Sequence, residues 1–208
     1  AIIGDENAMT GAAVSTAVAT ASTVSEIQKI AVIAVLFLLV VLILTTTSWV
    51  EPFVVLIGLG VAVIINAGTN LIFGEISFVT NAAGNILQLA VSLDYSVFLI
   101  HRFDECRQNR KPQDAMRQAL CMSASSILSS GLTTVIGFLA LTLMRFRIGP
   151  DLGLALAKGI GISLLTVFLF MPGVILGTYQ WMDKTAHRSF LPSFRIFGKV
   201  VGKITIPL

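Results

Sequence analysis

A carboxylate and a phenol stand side by side near the middle of a long apolar segment, at Asp94 and Tyr95. The segment covers residues 78–105, which is long enough to cross a bilayer. A charged Asp at membrane depth costs about 2.5–3.5 kcal/mol on insertion scales, and such residues commonly serve a function. Because helical side chains tilt toward the helix N-terminus, Asp94 leans away from the charged end at Arg102. Asp94 therefore needs a partner, water or a proton.

Further polar side chains recur along this segment at steps of three and four, which places them on one helical stripe beside Asp94. They are Asn81, Asn85, Gln88, Ser92 and Tyr95. Such a stripe is expected to face protein or a water-filled cavity. Hydrogen bonding between helices can account for the amides and the serine, but it accounts poorly for Asp94. Both a structural and a functional role stay open for the stripe.

Other groups could assist proton transfer. His101 follows Asp94 by seven residues on the same face, where it is either a proton exit or an ordinary interfacial residue. The fourth apolar segment carries small and hydroxyl residues at helical spacing, namely Ser123, Ser126, Ser130, Thr133 and Gly137. This pattern favours close approach of a neighbouring helix. Ser126 and Ser130 are also candidates for a secondary proton path.

The fifth apolar segment contains a single cation, Lys158, about two turns from its outer end. Its side chain tilts toward that end, so snorkelling to the interface is the favoured interpretation, and a partner on another segment is the alternative. Small residues flank it in two small-xxx-small pairs, Ala155/Gly159 and Ala157/Gly161, which predict close helix packing.

The composition indicates an integral membrane protein. Of the 208 residues, 55% are hydrophobic and 12% are charged, and the mean hydropathy is +0.89. Soluble domains are about 25% charged. The net charge of +3 bears on orientation, and no segment resembles a nucleic-acid module. No pattern indicates an enzyme, a metal site or a cofactor, and Cys106 and Cys121 are interpreted as reduced thiols.

The apolar runs predict an all-α fold, a polytopic bundle of five transmembrane helices. The predicted spans are about 27–47, 53–72, 78–105, 117–144 and 151–176. The connection from Ser48 to Pro52 is so short that the first two spans form an antiparallel hairpin. Pro172 and Gly173 are expected to kink the end of the fifth span.

Basic residues set the expected orientation. Five lie between spans three and four, at Arg102, Arg107, Arg110, Lys111 and Arg117. Five more follow span five, at Lys184, Arg188, Arg195, Lys199 and Lys203. Five spans place both groups on one side, which is predicted to be cytoplasmic, with the N-terminal segment outside. Arg145 and Arg147 oppose this assignment but are outnumbered.

The two ends of the chain are expected to lie outside the bundle. Residues 1–26 are small and polar and are interpreted as the tail of an extracytoplasmic domain. Near the C-terminus, basic residues spaced four apart alternate with an apolar stripe over 194–204, which predicts an amphipathic helix on the anionic inner leaflet. The chain is expected to be a piece of a longer protein.

Three motifs carry a resemblance to a known family. SLDYSVFLIHRFDE, SSGLTTVIGFLAL and LAKGIGISLLTVFLFMPGVIL are similar to segments of the resistance–nodulation–division (RND) superfamily and, within it, of MmpL-like permeases. The resemblance covers about 27–205 and implies that the five spans are helices two to six of such a permease. Asp94 and Tyr95 then match its proton-relay pair.

The resemblance also implies a domain division and partners. Residues 1–26 would end an extracytoplasmic porter domain, 27–178 would form the five-helix transmembrane domain, and 179–208 would be a cytoplasmic-face linker. A complementary Asp-Tyr helix would lie in a second half of the same protein, absent from this chain. The implied function is proton-driven export of lipids or other hydrophobic compounds from the cell membrane, with protons as the coupling ion, and a homo-oligomer is a further option.

Two other functions share this five-helix unit. One is a lipid-binding or regulatory domain that resembles sterol-sensing domains, and the other is a proton-driven accessory of protein secretion. The ionisable Asp94 favours the exporter over the lipid sensor, because a sensor needs no proton relay.

Overall fold

The computed structural model describes residues 12–73, 78–108, 110–146 and 148–186, and within them the fold is an all-α membrane bundle with one isolated bridge between Ser48 and Ala186. The helices are α1 (Ala12–Thr45), α2 (Glu51–Phe73), α3 (Phe78–Arg107), α4 (Pro112–Ala140), α5 (Ile148–Leu165) and α6 (Met171–Lys184). A 3₁₀ turn (Leu141–Leu143) extends α4, and a π turn (Thr166–Phe170) joins α5 to α6.

Four of the described segments are long and apolar enough to cross a membrane. They are Glu51–Asn70, Thr80–Arg107, Pro112–Leu143 and Ile148–Lys184. The apolar part of α1, Lys29–Thr45, is shorter and lies at the lower limit for a span, roughly 17 residues. Helix α1 begins at Ala12, so the described part of the small, polar N-terminal segment is helical and continuous with the first span.

The connection between α1 and α2 is a tight turn, as its length predicted. The backbone N–H of Thr47 donates to the carboxylate of Glu51 at 3.1 Å, and the N–H of Val50 donates to the Ser48 hydroxyl at 3.3 Å. Glu51 is only 2% exposed, so its charge is satisfied inside the turn. Pro52 lies in the first turn of α2, where a missing N–H is tolerated.

Helix α3 is central to the bundle and contacts α1, α2, α4 and α5. The C-terminal half of α3 forms the core together with α4 and the start of α6, through fully buried Leu99, Phe103, Met116 and Met171. Because α3 carries Asp94, the packing of α3 on its neighbours decides what surrounds that carboxylate.

A wider helical turn precedes Pro172, where the sequence predicts a kink. Proline has no N–H, and its ring crowds the carbonyl four residues earlier, here that of Phe168. Phe168 lies inside the π turn Thr166–Phe170, so the helix widens one turn before the proline and then continues as α6.

Polar contacts join the helices at both ends of the bundle. At one end Arg107 of α3 donates to Asp183 of α6 at 2.9 Å and lies 3.5 Å from Asp104. At the opposite end the Thr80 hydroxyl donates to Asp151 of α5 at 2.8 Å. These pairs fix the position of α3 along the long axis of the bundle relative to α5 and α6.

Two further expectations concern the termini and the thiols. The predicted amphipathic helix over 194–204 lies outside the described residues, as do residues 1–11. Cys106 is half-buried, Cys121 is exposed, and the two are free thiols, as the sequence predicted.

Candidate functional site

Asp94 lies at an open cavity of about 190 Å³ between α3 and α4. Two hydroxyl residues predicted for a proton path, Ser126 and Ser130, line the same cavity from α4. Phe98 and Ile127 supply apolar walls. The structure therefore brings Asp94 together with both serines, and the cavity gives the carboxylate access to water or to an incoming group.

The carboxylate of Asp94 is exposed at the surface of the bundle. Within the described part of the chain it makes no hydrogen bond or ion pair. Every other Asp or Glu of helix α3 is paired, since Asp104 lies beside Arg107 and Glu105 accepts from Arg102 at 2.7 Å. A single uncompensated carboxylate at this depth is costly for folding alone, which favours a role in function.

Tyr95 lies beside Asp94 in sequence but points in a different direction. Consecutive helical residues are about 100° apart, so the two side chains do not face each other. The Tyr95 ring is 7% exposed and packs in the apolar core, while its edge contributes to the cavity wall. Tyr95 is thus placed to shape the cavity that Asp94 occupies.

His101 is not part of this cavity. It is exposed and lies about 10 Å further along α3. The structure does not bring His101 to Asp94, and a proton exit there requires water between them.

The small-residue face predicted for α4 does not pack against a neighbouring described helix. Its members Ser126, Ser130, Thr133 and Gly137 are exposed. Helix α4 instead packs through a different set, with Ser123, Ile127 and Gly131 buried at steps of four. Among the described helices, the predicted face therefore has no neighbour except at Ser123, which belongs to the buried row.

One member of the polar stripe of α3, Gln88, has a clear structural role. Gln88 is 1% exposed and donates to the backbone carbonyl of Ala62 on α2 at 3.0 Å. Ser92 is also buried. Helix α5 packs beside these amides at Gly159, where an added Cβ would lie 3.6 Å from Asn66 Nδ2 and 3.6 Å from Gln88 Oε1, an ordinary contact distance. An interhelical hydrogen bond therefore accounts for Gln88, in agreement with the structural role that the sequence left open.

Lys158 does not snorkel outward but is bound by α2. Its ammonium donates to the side-chain oxygen of Asn70 and lies 3.5 Å from the backbone oxygen of Asn66. Asn70 in turn donates to Asn81 of α3 at 3.3 Å. The alternative of a partner on another segment is therefore the correct one. A cation in an apolar span, with two Asn in another span, was the available signal.

We expect Asn70→Leu to destabilise the bundle by about 1 kcal/mol, because the Lys158 ammonium loses a half-buried acceptor. Lys158→Met should cost less, since it removes the charge along with its need for a partner. The double variant should be more stable than the sum of the single effects predicts. Thermal unfolding of the purified protein in detergent measures all three.

Asn81→Leu is the matched control for that cycle, because it removes the contact of Asn70 with α3 and leaves the contact with Lys158. Strict additivity of Asn70→Leu and Lys158→Met would mean that the two side chains are not energetically coupled.

The helices and the cavity define a class of protein: a multi-pass membrane bundle whose third helix carries, at an open cavity, a carboxylate without a partner in the described part of the chain. The chain belongs to the MMPL family, whose sequence pattern matches residues 6–201. This confirms the resemblance to RND and MmpL-like permeases.

Named relatives agree with this membership. The transport protein MmpL12 of Mycobacterium tuberculosis is 27% identical over 173 residues, which cover 80% of this chain and 15% of that protein. The mycolic acid-containing lipids exporter MmpL11 of Mycolicibacterium smegmatis is 28% identical over 99 residues, 47% of this chain and 10% of that protein. The protein translocase subunit SecD of Calditerrivibrio nitroreducens is 32% identical over 100 residues, 47% of this chain and 19% of that protein.

The chain therefore spans less than a fifth of each of these relatives. No solved structure matches the chain significantly. Membership of a family with transport proteins agrees with the expectation that the chain is not an enzyme and that it resides in a membrane.

Proposed function

We propose that this chain is part of the transmembrane domain of a proton-driven exporter of lipids or other hydrophobic compounds. The observation that carries the proposal is the position of Asp94, exposed in a cavity lined by Ser126 and Ser130 and without a partner among the described residues. Asp94 binds and releases the coupling proton, and Tyr95 shapes its surroundings. No cofactor other than the proton is required.

The energies involved are of matching size. A proton that crosses 100 mV releases about 2.3 kcal/mol, and each pH unit adds about 1.4 kcal/mol. The cost of a charged Asp at the membrane centre is about 2.5–3.5 kcal/mol. Protonation of Asp94 therefore changes the helix-packing free energy by an amount that the proton gradient can supply, which is the coupling that an exporter needs.

A second half of the same protein is proposed to cover the cavity. Helix α4 is the least covered of the four long spans, with 11% of its apolar window buried against 39–44% in the others. Its exposed face with Ser126, Ser130 and Thr133 is polar at membrane depth, which suits a protein or water neighbour better than lipid tails. A complementary Asp-Tyr helix fits that neighbour, and a second copy of the protein is the alternative occupant.

The substrate class is proposed from a relative. The MmpL11 relative is named an exporter of mycolic acid-containing lipids. The regions that would select a substrate belong to the rest of the protein, with residues 1–26 as the end of a porter domain, 27–178 as its membrane domain and 179–208 as a linker.

We infer that the end of the bundle with Arg107 and Lys111 is cytoplasmic, because basic residues concentrate there. A membrane-impermeant thiol reagent added outside intact cells should then fail to label Cys106 and Cys121, but it should label a cysteine that replaces Ile148. Ile148 is exposed at the other end of the bundle. The opposite labelling pattern would reverse the orientation.

The test of the function uses the intact parent protein in liposomes that contain a fluorescent lipid. An imposed pH gradient should drive lipid export, and dissipation of that gradient by a protonophore should stop it. Lipid movement that persists without any gradient would refute proton coupling.

The similarity to SecD supports a second candidate, an accessory of protein secretion. The two candidates differ in cargo. Depletion of a secretion accessory slows the export of secreted proteins, whereas depletion of a lipid exporter changes the lipid composition outside the membrane and leaves protein export intact.

A further inference from the structure

The basic residues near the α3–α4 connection fall into two groups. Two of them are paired: Arg102 with Glu105 at 2.7 Å, and Arg107 with Asp183. Three others are exposed and have no ion-pair partner within the described part of the chain: Arg110, Lys111 and Arg117. The first group is neutralised by carboxylates, and the second group is available to a ligand.

The three available cations line one cavity. The cavity has a volume of about 610 Å³, and its other lining residues are Asp114, Gln118 and Cys121. Three positive charges and one negative charge leave a net charge of +2 in it. The cavity also lies at the N-terminus of α4, which begins at Pro112 and whose backbone dipole favours an anion. The net positive charge of the cavity and the dipole of α4 therefore both favour an anionic ligand.

The depth of the cavity points to the lipid headgroup layer. The span Pro112–Leu143 contains 32 residues, or about 48 Å of helix at about 1.5 Å per residue. The hydrocarbon core is only about 30 Å thick. Since the far end of this span is apolar up to Leu143, the excess length lies at the end with Lys111 and Arg117.

An exposed apolar strip continues from the cavity along α4. At about 3.6 residues per turn, Arg117, Cys121, Leu128 and Leu132 share one face. Leu128 is 40% exposed and Leu132 is 52% exposed. Ser126 and Ser130 of the proton cavity lie on nearly the opposite face, so this strip stays open when another helix covers the proton cavity.

We propose that the cavity formed by Arg110, Lys111 and Arg117 binds the phosphate of an anionic phospholipid in the leaflet at this end of the bundle. The guanidinium and ammonium groups donate to the phosphate oxygens, and the acyl chains lie on the strip of Leu128 and Leu132. The strip distinguishes a lipid from free phosphate, because a soluble anion has no use for an apolar surface. This site is independent of proton coupling at Asp94.

Cys121 provides a built-in reporter, since it lines the cavity and is exposed. The intact parent protein is placed in nanodiscs of phosphatidylcholine, with or without phosphatidylglycerol, and alkylation of Cys121 by N-ethylmaleimide is followed by peptide mass spectrometry. Phosphatidylglycerol should slow the alkylation of Cys121 at least about fivefold. A cysteine in place of Glu105, exposed at the same end but outside the cavity, reports the general effect of the charged surface.

Charge variants test the assignment. Each basic residue near an anionic surface strengthens binding by roughly fivefold. Arg117→Gln should therefore raise the phosphatidylglycerol concentration needed for half-protection by about that factor. Arg145→Gln removes an exposed charge at the opposite end and should leave protection unchanged.

Three outcomes would overturn the proposal. The first is equal alkylation of Cys121 with and without phosphatidylglycerol, after correction by the cysteine at position 105. The second is full protection by inorganic phosphate in phosphatidylcholine nanodiscs, which would identify a soluble-anion site. The third is protection that survives Arg117→Gln undiminished. The first two use the unaltered cavity, so they hold even where a variant fails to fold.

Discussion

Asp94→Asn in the intact parent protein should abolish proton-driven export while the protein still folds and inserts. Asparagine keeps the volume and most of the hydrogen-bonding capacity of aspartate, but it cannot release a proton. The carboxylate has no partner among the described residues, so its loss breaks no hydrogen bond or ion pair there. We expect transport to fall to background at matched membrane expression, with thermal stability equal or slightly higher because an ionisable group has left the bilayer.

Variants of neighbouring residues separate a proton role from a structural one. Tyr95→Phe should be milder, because the buried ring is kept and water can replace its hydroxyl in the cavity. Glu105→Gln neutralises a carboxylate on the same helix at its aqueous end and should leave export unchanged. If Asp94→Asn exports normally and a protonophore still stops it, the proton travels elsewhere.

Gly153→Ala should be the most damaging methyl addition in α5. A Cβ at this position would lie 2.5 Å from the backbone oxygen of Phe138 and 3.0 Å from the Cβ of Leu141. Neither atom can move without shifting the end of α4, because both belong to its last turns. Overpacking of this kind costs about 1–3 kcal/mol. The measurement is the midpoint of thermal unfolding of the purified protein in detergent.

Gly161→Ala is the matched control in the same helix. No atom lies within 4 Å of a Cβ built there. Alanine stabilises a helix interior by about 0.5–1 kcal/mol relative to glycine. The two identical substitutions should therefore shift the unfolding midpoint in opposite directions. Equal shifts would show that α5 does not pack on the end of α4 as closely as the structure indicates.

Much of the fold could be predicted because the membrane limits the choices. Apolar runs of about 20 residues must be helices, since lipid satisfies no backbone group. The predicted span over 53–72 corresponds to α2 at Glu51–Phe73, and the span over 78–105 corresponds to α3 at Phe78–Arg107. The start of α4 was placed too late, at residue 117, because charged Lys111 and Asp114 looked like loop while Pro112 in fact begins the helix.

Less of the site could be predicted, because it depends on which helices meet. Asp94 was evident from its chemistry alone, and Ser126 and Ser130 were found through their spacing on one helix face. The bond between Lys158 and Asn70 joins residues 88 positions apart, and no local pattern specifies that pairing. The difference between Gly153 and Gly161 is likewise a matter of what lies opposite each glycine.

The contact between the α1–α2 turn and the end of α6 also imposes an order of events during synthesis. The hydroxyls of Ser48 and Thr185 lie 2.7 Å apart although the residues are 137 positions apart in the chain. At about 5–20 residues per second, the ribosome adds Thr185 roughly 7–27 s after Ser48. The hairpin of α1 and α2 is therefore in the membrane before Thr185 is made. The contact between its turn and the end of α6 is then among the last contacts to form between the described helices.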